Sequence, residues 1–180
     1  MARTTLSAAE PSELRSTWRD LADRVAAAAS AAPDDLAIMA HDIPVGRDGA
    51  MLLRTFELWA HHDDIAAASG RRLLAMDGGR LLTLSTGLVR ALPFTFALRG
   101  ATAPDAAARI VLTGMGGGTY DLSYGEAGSR PRDVTIVVDT YNACRMAQRR
   151  QDRDEVRVDF DGDAGLGERL LAEFGAFARD

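Results

Sequence analysis

Arg54-Thr-Phe-Glu-Leu-Trp-Ala-His-His-Asp-Asp-Ile65 decides how this chain folds. Within it, Arg54, Glu57, His61 and Asp64 stand three, four and three residues apart. At about 100° per residue, an α-helix lays those side chains along one face. Leu52, Phe56, Leu58, Trp59 and Ile65 take much of the remaining circumference. A helix that is apolar on most sides is normally buried, and a carboxylate or imidazole buried with it needs partners, because an unpaired buried charge is costly. A metal ion is one such partner. Glu57 and His61, one turn apart, can reach a single ion, as Glu and His on facing helices do in bundle metal sites. The same spacing also suits a solvated pair worth a few tenths of a kcal/mol. Catalytic zinc takes three protein ligands and structural zinc four, so two ligands leave a site incomplete. His62 turns about 100° away from His61, and His41 lies in the preceding segment.

Upstream, Pro11 opens a helix in which Leu14, Trp18, Leu21, Ala22 and Val25 form one apolar face, ending before Pro33. Residues 34–47, with Pro44 and Gly46, read as a loop. Asp48 is the expected N-cap of the helix carrying the stripe, and Gly70 its expected C′ residue. A third helix is expected from Gly79 to Leu98 on Leu81, Leu84, Leu88 and Leu92, with Pro93 kinking or ending it. Residues 99–105 read as a linker. Beyond them the period changes. Strands are expected at 109–113, 119–124, 133–139 and 155–160, the first two joined as a hairpin through Gly114-Met-Gly-Gly-Gly118. A helix is expected over 140–149, and a last one capped by Asp163 and reaching Ala178. The chain is thus expected to be an α+β protein with a helical part at 1–99 and a small α+β part at 100–180.

The 180 residues are 47% hydrophobic and 26% charged, enough to bury a core. The formal net charge of -5 argues against a nucleic-acid partner. All 21 basic residues are arginine, which excludes a Schiff-base or P-loop lysine. One cysteine, Cys144, permits no intrachain disulfide and suits a reducing cytoplasm. No apolar run approaches the roughly 20 residues of a membrane helix, and the N-terminus does not read as a signal peptide.

Other features read structurally. The Gly114–Gly118 run lacks the Lys-Ser/Thr ending of a P-loop and sits between strands, so it reads as a turn. Asp159-Phe-Asp-Gly-Asp163 has its glycine misplaced for a calcium loop, and its twelfth position is Leu170. A lone helical cysteine such as Cys144 is more often buried and inert than reactive. Arg145, Arg149 and Arg150 form a small basic cluster, as do Arg71 and Arg72. Both read by default as solvated.

The segment 54–65 resembles the Arg-x-x-Glu-x-Trp-x-His-x-x-Asp signature of the mycothiol-dependent maleylpyruvate isomerase family, matching at Arg54, Glu57, Trp59, His61 and Asp64. Leu112-Thr-Gly-Met-Gly-Gly-Gly-Thr119, Cys144-Arg-Met146, Asp161-Gly-Asp-Ala164 and the closing helix resemble that family's C-terminal part. The resemblance implies a DinB-like metal-binding bundle followed by a sterol-carrier-like domain. It implies a divalent metal, zinc, at Glu57 and His61, with Asp64 and Arg54 behind them and mycothiol as thiol cosubstrate. It implies isomerase or transferase activity on a small molecule, with an arginine among Arg145, Arg149 and Arg150 binding an anionic substrate or thiol. The family's third ligand is a histidine from an earlier helix, which has no counterpart among His41, His61 and His62. This chain's first helix resembles the family's third, so about two bundle helices are expected to be missing, or to lie upstream of Met1. An alternative expectation is a non-catalytic homologue in which two chains pair as a homodimer through exposed helices. A small-molecule binding module is a further one.

Overall fold

A computed structural model describes residues 10–40, 43–70, 77–125 and 131–178. They form two compact units, Met1–Met51 and Leu52–Asp180.

In the first unit, helix α1 spans Pro11–Ala31 with Pro11 in its first turn and Glu13 beside it. A proline there loses no helix hydrogen bond, and an acidic side chain favours the positive end of the helix dipole. Residues 34–47, expected to be a loop, instead contain a two-stranded antiparallel ribbon. Strands β1 (Ala37–Ala40) and β2 (Ile43–Gly46) pair Ile38 with Val45 and Met39 with Pro44. A ribbon has two edges, so Pro44 can sit where its missing N–H is not required. Arg47 ties the ribbon's exit back to the end of α1, donating to the Ala32 carbonyl at 3.1 Å and pairing with Asp34 at 3.0 Å.

Helix α2, Arg47–Ala68, begins in the first unit and continues into the second. It starts one residue before Asp48, which lies in its first turn, and Gly70 follows with φ of 63°.

The second unit adds helix α3 (Gly78–Leu98), strands β3 (Ala106–Thr113), β4 (Gly118–Tyr124) and β5 (Val134–Asp139), helix α4 (Thr140–Ala147), strand β6 (Val158–Gly162) and helix α5 (Ala164–Ala172). The sheet order is β4-β3-β5-β6, with β3 and β5 parallel and both outer pairs antiparallel. The α+β class read from the sequence holds. Asp77, Asp139 and Asp163 cap the three helices, each accepting a backbone N–H at 2.9–3.0 Å.

Two later boundaries differ from expectation, whereas helix α3 spans Gly78–Leu98, as its leucine period implied, and does not end at Pro93. Its Leu81, Leu84, Leu88, Val89 and Leu92 are all buried, and that apolar face outweighs one lost hydrogen bond. Strand β6 starts at Val158 because Arg153–Glu155 close a 3-10 turn first, with Asp152 and Glu155 forming a capping box. The last helix gives way to a 3-10 segment at Glu173–Phe177.

The core is continuous across this unit. Leu84, Leu92, Ile110, Ile136, Leu170 and Phe174 are fully buried. Helix α3 packs on β4, α4 and the final 3-10 segment. Helices α2 and α3 approach closely at Gly87, where a Cβ would collide with the Leu52 side chain. The Gly114–Gly118 turn joins β3 to β4 as expected. Gly116 has φ of 69°, and a Cβ there would lie 2.7 Å from the Leu82 backbone nitrogen. Its carbonyl accepts the Ser85 hydroxyl at 2.7 Å. The turn thus sits on the start of α3.

Candidate functional site

The second unit holds the C-terminal part of α2 by one face. Trp59, Ala60, Asp63 and Ala66 are its buried residues. They recur at helical spacing and lie roughly 180° round the helix from Ile65, Arg54, His61 and Glu57. The stripe read from the sequence is therefore the exposed face. The Glu57 side chain is 49% exposed and that of His61 70%. Counting apolar residues round the circumference overestimated burial, because Leu58 and Ile65 also face outward, at 42% and 68% exposure.

Two aspartate–arginine pairs fix α2 to α4 and the residues that follow it. Asp63 is buried and accepts from Arg145 Nη1 at 2.6 Å. The adjacent Asp64 receives a two-pronged bond from Arg150, Nε to Oδ1 at 3.1 Å and Nη2 to Oδ2 at 2.7 Å. Arg145 Nη2 donates to the Arg150 carbonyl at 2.9 Å, and Arg150 Nη1 to the Gln148 carbonyl at 2.6 Å. Gln148 Nε2 donates to the Phe56 carbonyl at 3.1 Å. The Trp59 ring meets Tyr141 edge-on with centroids 5.7 Å apart, and the Arg145 guanidinium stands 5.8 Å from the same Tyr141 ring.

The charges follow from these contacts. The Arg150 hydrogen bond holds the Asp64 carboxyl below its usual value, with a smaller contribution from His61. Asp64 in turn raises Arg150. Both guanidiniums are thus committed within the chain. Arg149 follows α4 in a left-handed conformation, φ 53°. Asp63 was missed in the sequence, although its spacing from Trp59, Ala60 and Ala66 marks the buried face.

On the exposed face, Arg54 Nη1 lies 3.3 Å from Glu57 Oε2, and His61 Nδ1 lies 3.7 Å from Asp64 Oδ2. Glu57 and His61 offer an oxygen and a nitrogen one turn apart, and both atom types suit zinc. Among the described residues, however, no group of three or more His, Cys, Asp or Glu side chains is placed to hold a metal ion. One chain's described residues therefore do not make a complete site. His41, Arg71 and Arg72 lie outside the described residues.

Cys144 is fully buried, and burial pushes its thiol up to about 12, so it is no nucleophile near neutral pH. Asp159–Gly162 end β6 and Asp163 caps α5, as the sequence indicated. Among the described residues no helix is long and apolar enough to cross a membrane.

Fold and site together define an α+β protein with a Glu–His motif on an exposed helix face. Residues 1–66 match the family model of the mycothiol maleylpyruvate isomerase N-terminal domain. That match contains the whole Arg54–Asp64 signature and supports the family to which the sequence pointed. No curated protein and no solved structure matches the chain.

Proposed function

We propose that the chain is a metal-binding protein related to thiol-dependent isomerases and transferases, with Glu57 and His61 as ligands to a divalent ion. The observation that carries this reading is their pairing, one turn apart on an accessible helix face, inside the matched residues. Zinc suits the oxygen and nitrogen donors. A bound divalent ion would lower the pKa of a thiol or water. Mycothiol is the thiol for which the matching family is named. Asp64 lies beside His61 Nδ1 and so favours Nε2 as the donor to metal. Arg54 neutralises Glu57 until an ion does so. We assign the protein to the cytoplasm, with a small-molecule partner and no nucleic acid, on its single buried thiol and net charge of -5.

Equilibrium dialysis against zinc tests this. The unmodified chain should retain zinc, and Glu57→Ala and His61→Ala should each lose it. No retained zinc in the unmodified chain would overturn the reading.

A second reading is a non-catalytic homologue that pairs through α1. Trp18, Leu21 and Val25 stand 56%, 49% and 47% exposed on that helix. A monomer by light scattering, with and without metal, would contradict it. The binding-module reading requires a sizeable apolar cavity. A cavity of about 420 Å³ beside β3 and β4 has Arg109, Asp121, Ser123 and Arg132 in its lining and is too polar to be that cavity.

A further inference from the structure

The four-stranded sheet turns one face to the core and one away from it. Along β3, Ala108, Ile110 and Leu112 belong to the core, so Ala107 and Arg109 take the outer face. Trp59 of α2 is part of the same core, which puts Glu57 and His61 apart from that outer face. Across the ladder Arg109 stands opposite Asp121, and Ala107 opposite Ser123. Two small side chains side by side leave the face low beside the Arg109–Asp121 pair. A cavity of about 420 Å³ opens there, lined also by Pro131 and Arg132. Pockets that hold small molecules span about 300–1,000 Å³.

The lining carries unequal charge. Arg109 grips Asp121 with Nε on Oδ1 at 2.7 Å and Nη2 on Oδ2 at 2.8 Å. That grip leaves its Nη1 donors for another oxygen. Among the described residues, Arg132 reaches Asp121 through charge alone. Asp133, next in sequence, turns its Oδ2 to the Ala107 N–H at 2.8 Å. Two guanidiniums against one carboxylate leave the cavity one positive charge in excess, in a chain whose net charge is -5. One monoanion balances that excess. A carboxylate suits the planar donors of a guanidinium, whereas a dianion would leave the cavity negative.

We propose that this groove binds the carboxylate of a small organic acid between Arg109 and Arg132. The Ser123 hydroxyl is a further donor, and Ala107 and Pro131 supply apolar surface for a short hydrocarbon stem. Asp121 acts as a positioning residue, fixing the Arg109 guanidinium at the groove's edge. Nothing in this inference depends on Glu57 and His61 being metal ligands.

Amide NMR spectra of the full chain, titrated with sodium butyrate at constant ionic strength, test it. The expected result is saturable shifts confined to residues 107–109, 121–123 and 132. Butyramide, which keeps the shape and lacks the charge, should produce none. Arg132→Gln should weaken butyrate at least about tenfold, the loss of one hydrogen bond to a charged group. Ser123→Leu fills the floor while keeping both guanidiniums, and it should abolish the shifts. Shifts that persist in Ser123→Leu, or that chloride alone reproduces, would overturn the proposal by showing diffuse attraction to surface charge. Absence of saturable shifts in the unmodified chain would overturn it as well. Tighter binding of inorganic phosphate than of butyrate would overturn the assignment of a carboxylate.

Discussion

Asp63 is the residue on which the packing of α2 depends most. Its carboxylate is 4% exposed, and Arg145, which meets it at 2.6 Å, retains a quarter of its own exposure. Removing the acid leaves a guanidinium partly desolvated and unpaired. Loss of one partner of a fully buried pair costs about 3–5 kcal/mol. Because Arg145 keeps contact with water, Asp63→Ala should cost less, about 2–3 kcal/mol, read by urea denaturation. A loss within about 0.5 kcal/mol would mean the pair contributes little. Asp64 differs because it is 44% exposed. Arg150 lowers its pKa in the folded chain. A lowered carboxyl pKa stabilises the fold above the ordinary carboxylate value and stops doing so as pH falls through the folded value. Arg150→Ala should therefore be slightly less stable than the unmodified chain at pH 7, by under about 1 kcal/mol. The two stability curves should converge below about pH 4. Parallel curves down to pH 3 would show that the bond does not act through Asp64. Cys144 gives a third test. With its thiol pushed up to about 12 and no exposure, it should react with a disulfide reagent at pH 8 only after denaturation. Prompt labelling of the folded chain would contradict its burial.

At the scale of elements, the glycine turn between β3 and β4 acts on α3 as much as on the hairpin. Gly116→Ala places a Cβ against the Leu81–Leu82 backbone at a positive φ. It should lower stability by about 2–3 kcal/mol, seen as a reduced denaturation midpoint. The elements themselves were largely legible in the sequence. The Asp163 cap before an apolar run was read from the sequence, as were the runs that form β3, β4 and β5, whereas the caps at Asp77 and Asp139 were not. The ribbon at 37–46 was not legible, because Pro44 and Gly46 are also loop residues and each strand has only four residues. The helix through Pro93 was legible because its leucine period continues to Leu98; local preference argues for a break there, and burial of the surrounding leucines overrides it. The candidate site was legible in its residues but not in its surroundings. Periodicity placed Arg54, Glu57, His61 and Asp64 on one face. It did not tell which face packs, because Trp59, Leu58 and Ile65 are all apolar and of the three Trp59 alone is buried, its ring against Tyr141 of α4.

At the scale of the whole molecule, the chain divides within a helix. Met51 and Leu52 are consecutive residues of α2, yet they fall in different compact units. The signature residues Arg54 to Asp64 all lie in the second, where α4 fixes Trp59 and Asp63, and Arg150 beyond it fixes Asp64. The matched family region, by contrast, runs from residue 1 to residue 66 and so spans both units. Glu57 and His61 are therefore carried on a helix anchored by the α+β unit, which gives the pair a rigid support. Cobalt(II) absorption is the most direct test of their assignment. Cobalt substituted for zinc at a tetrahedral or five-coordinate site should produce visible bands on addition to the unmodified chain. Those bands should be absent from both His61→Ala and Glu57→Ala. Bands that persist unchanged in His61→Ala would contradict the assignment of Glu57 and His61 as the ligand pair.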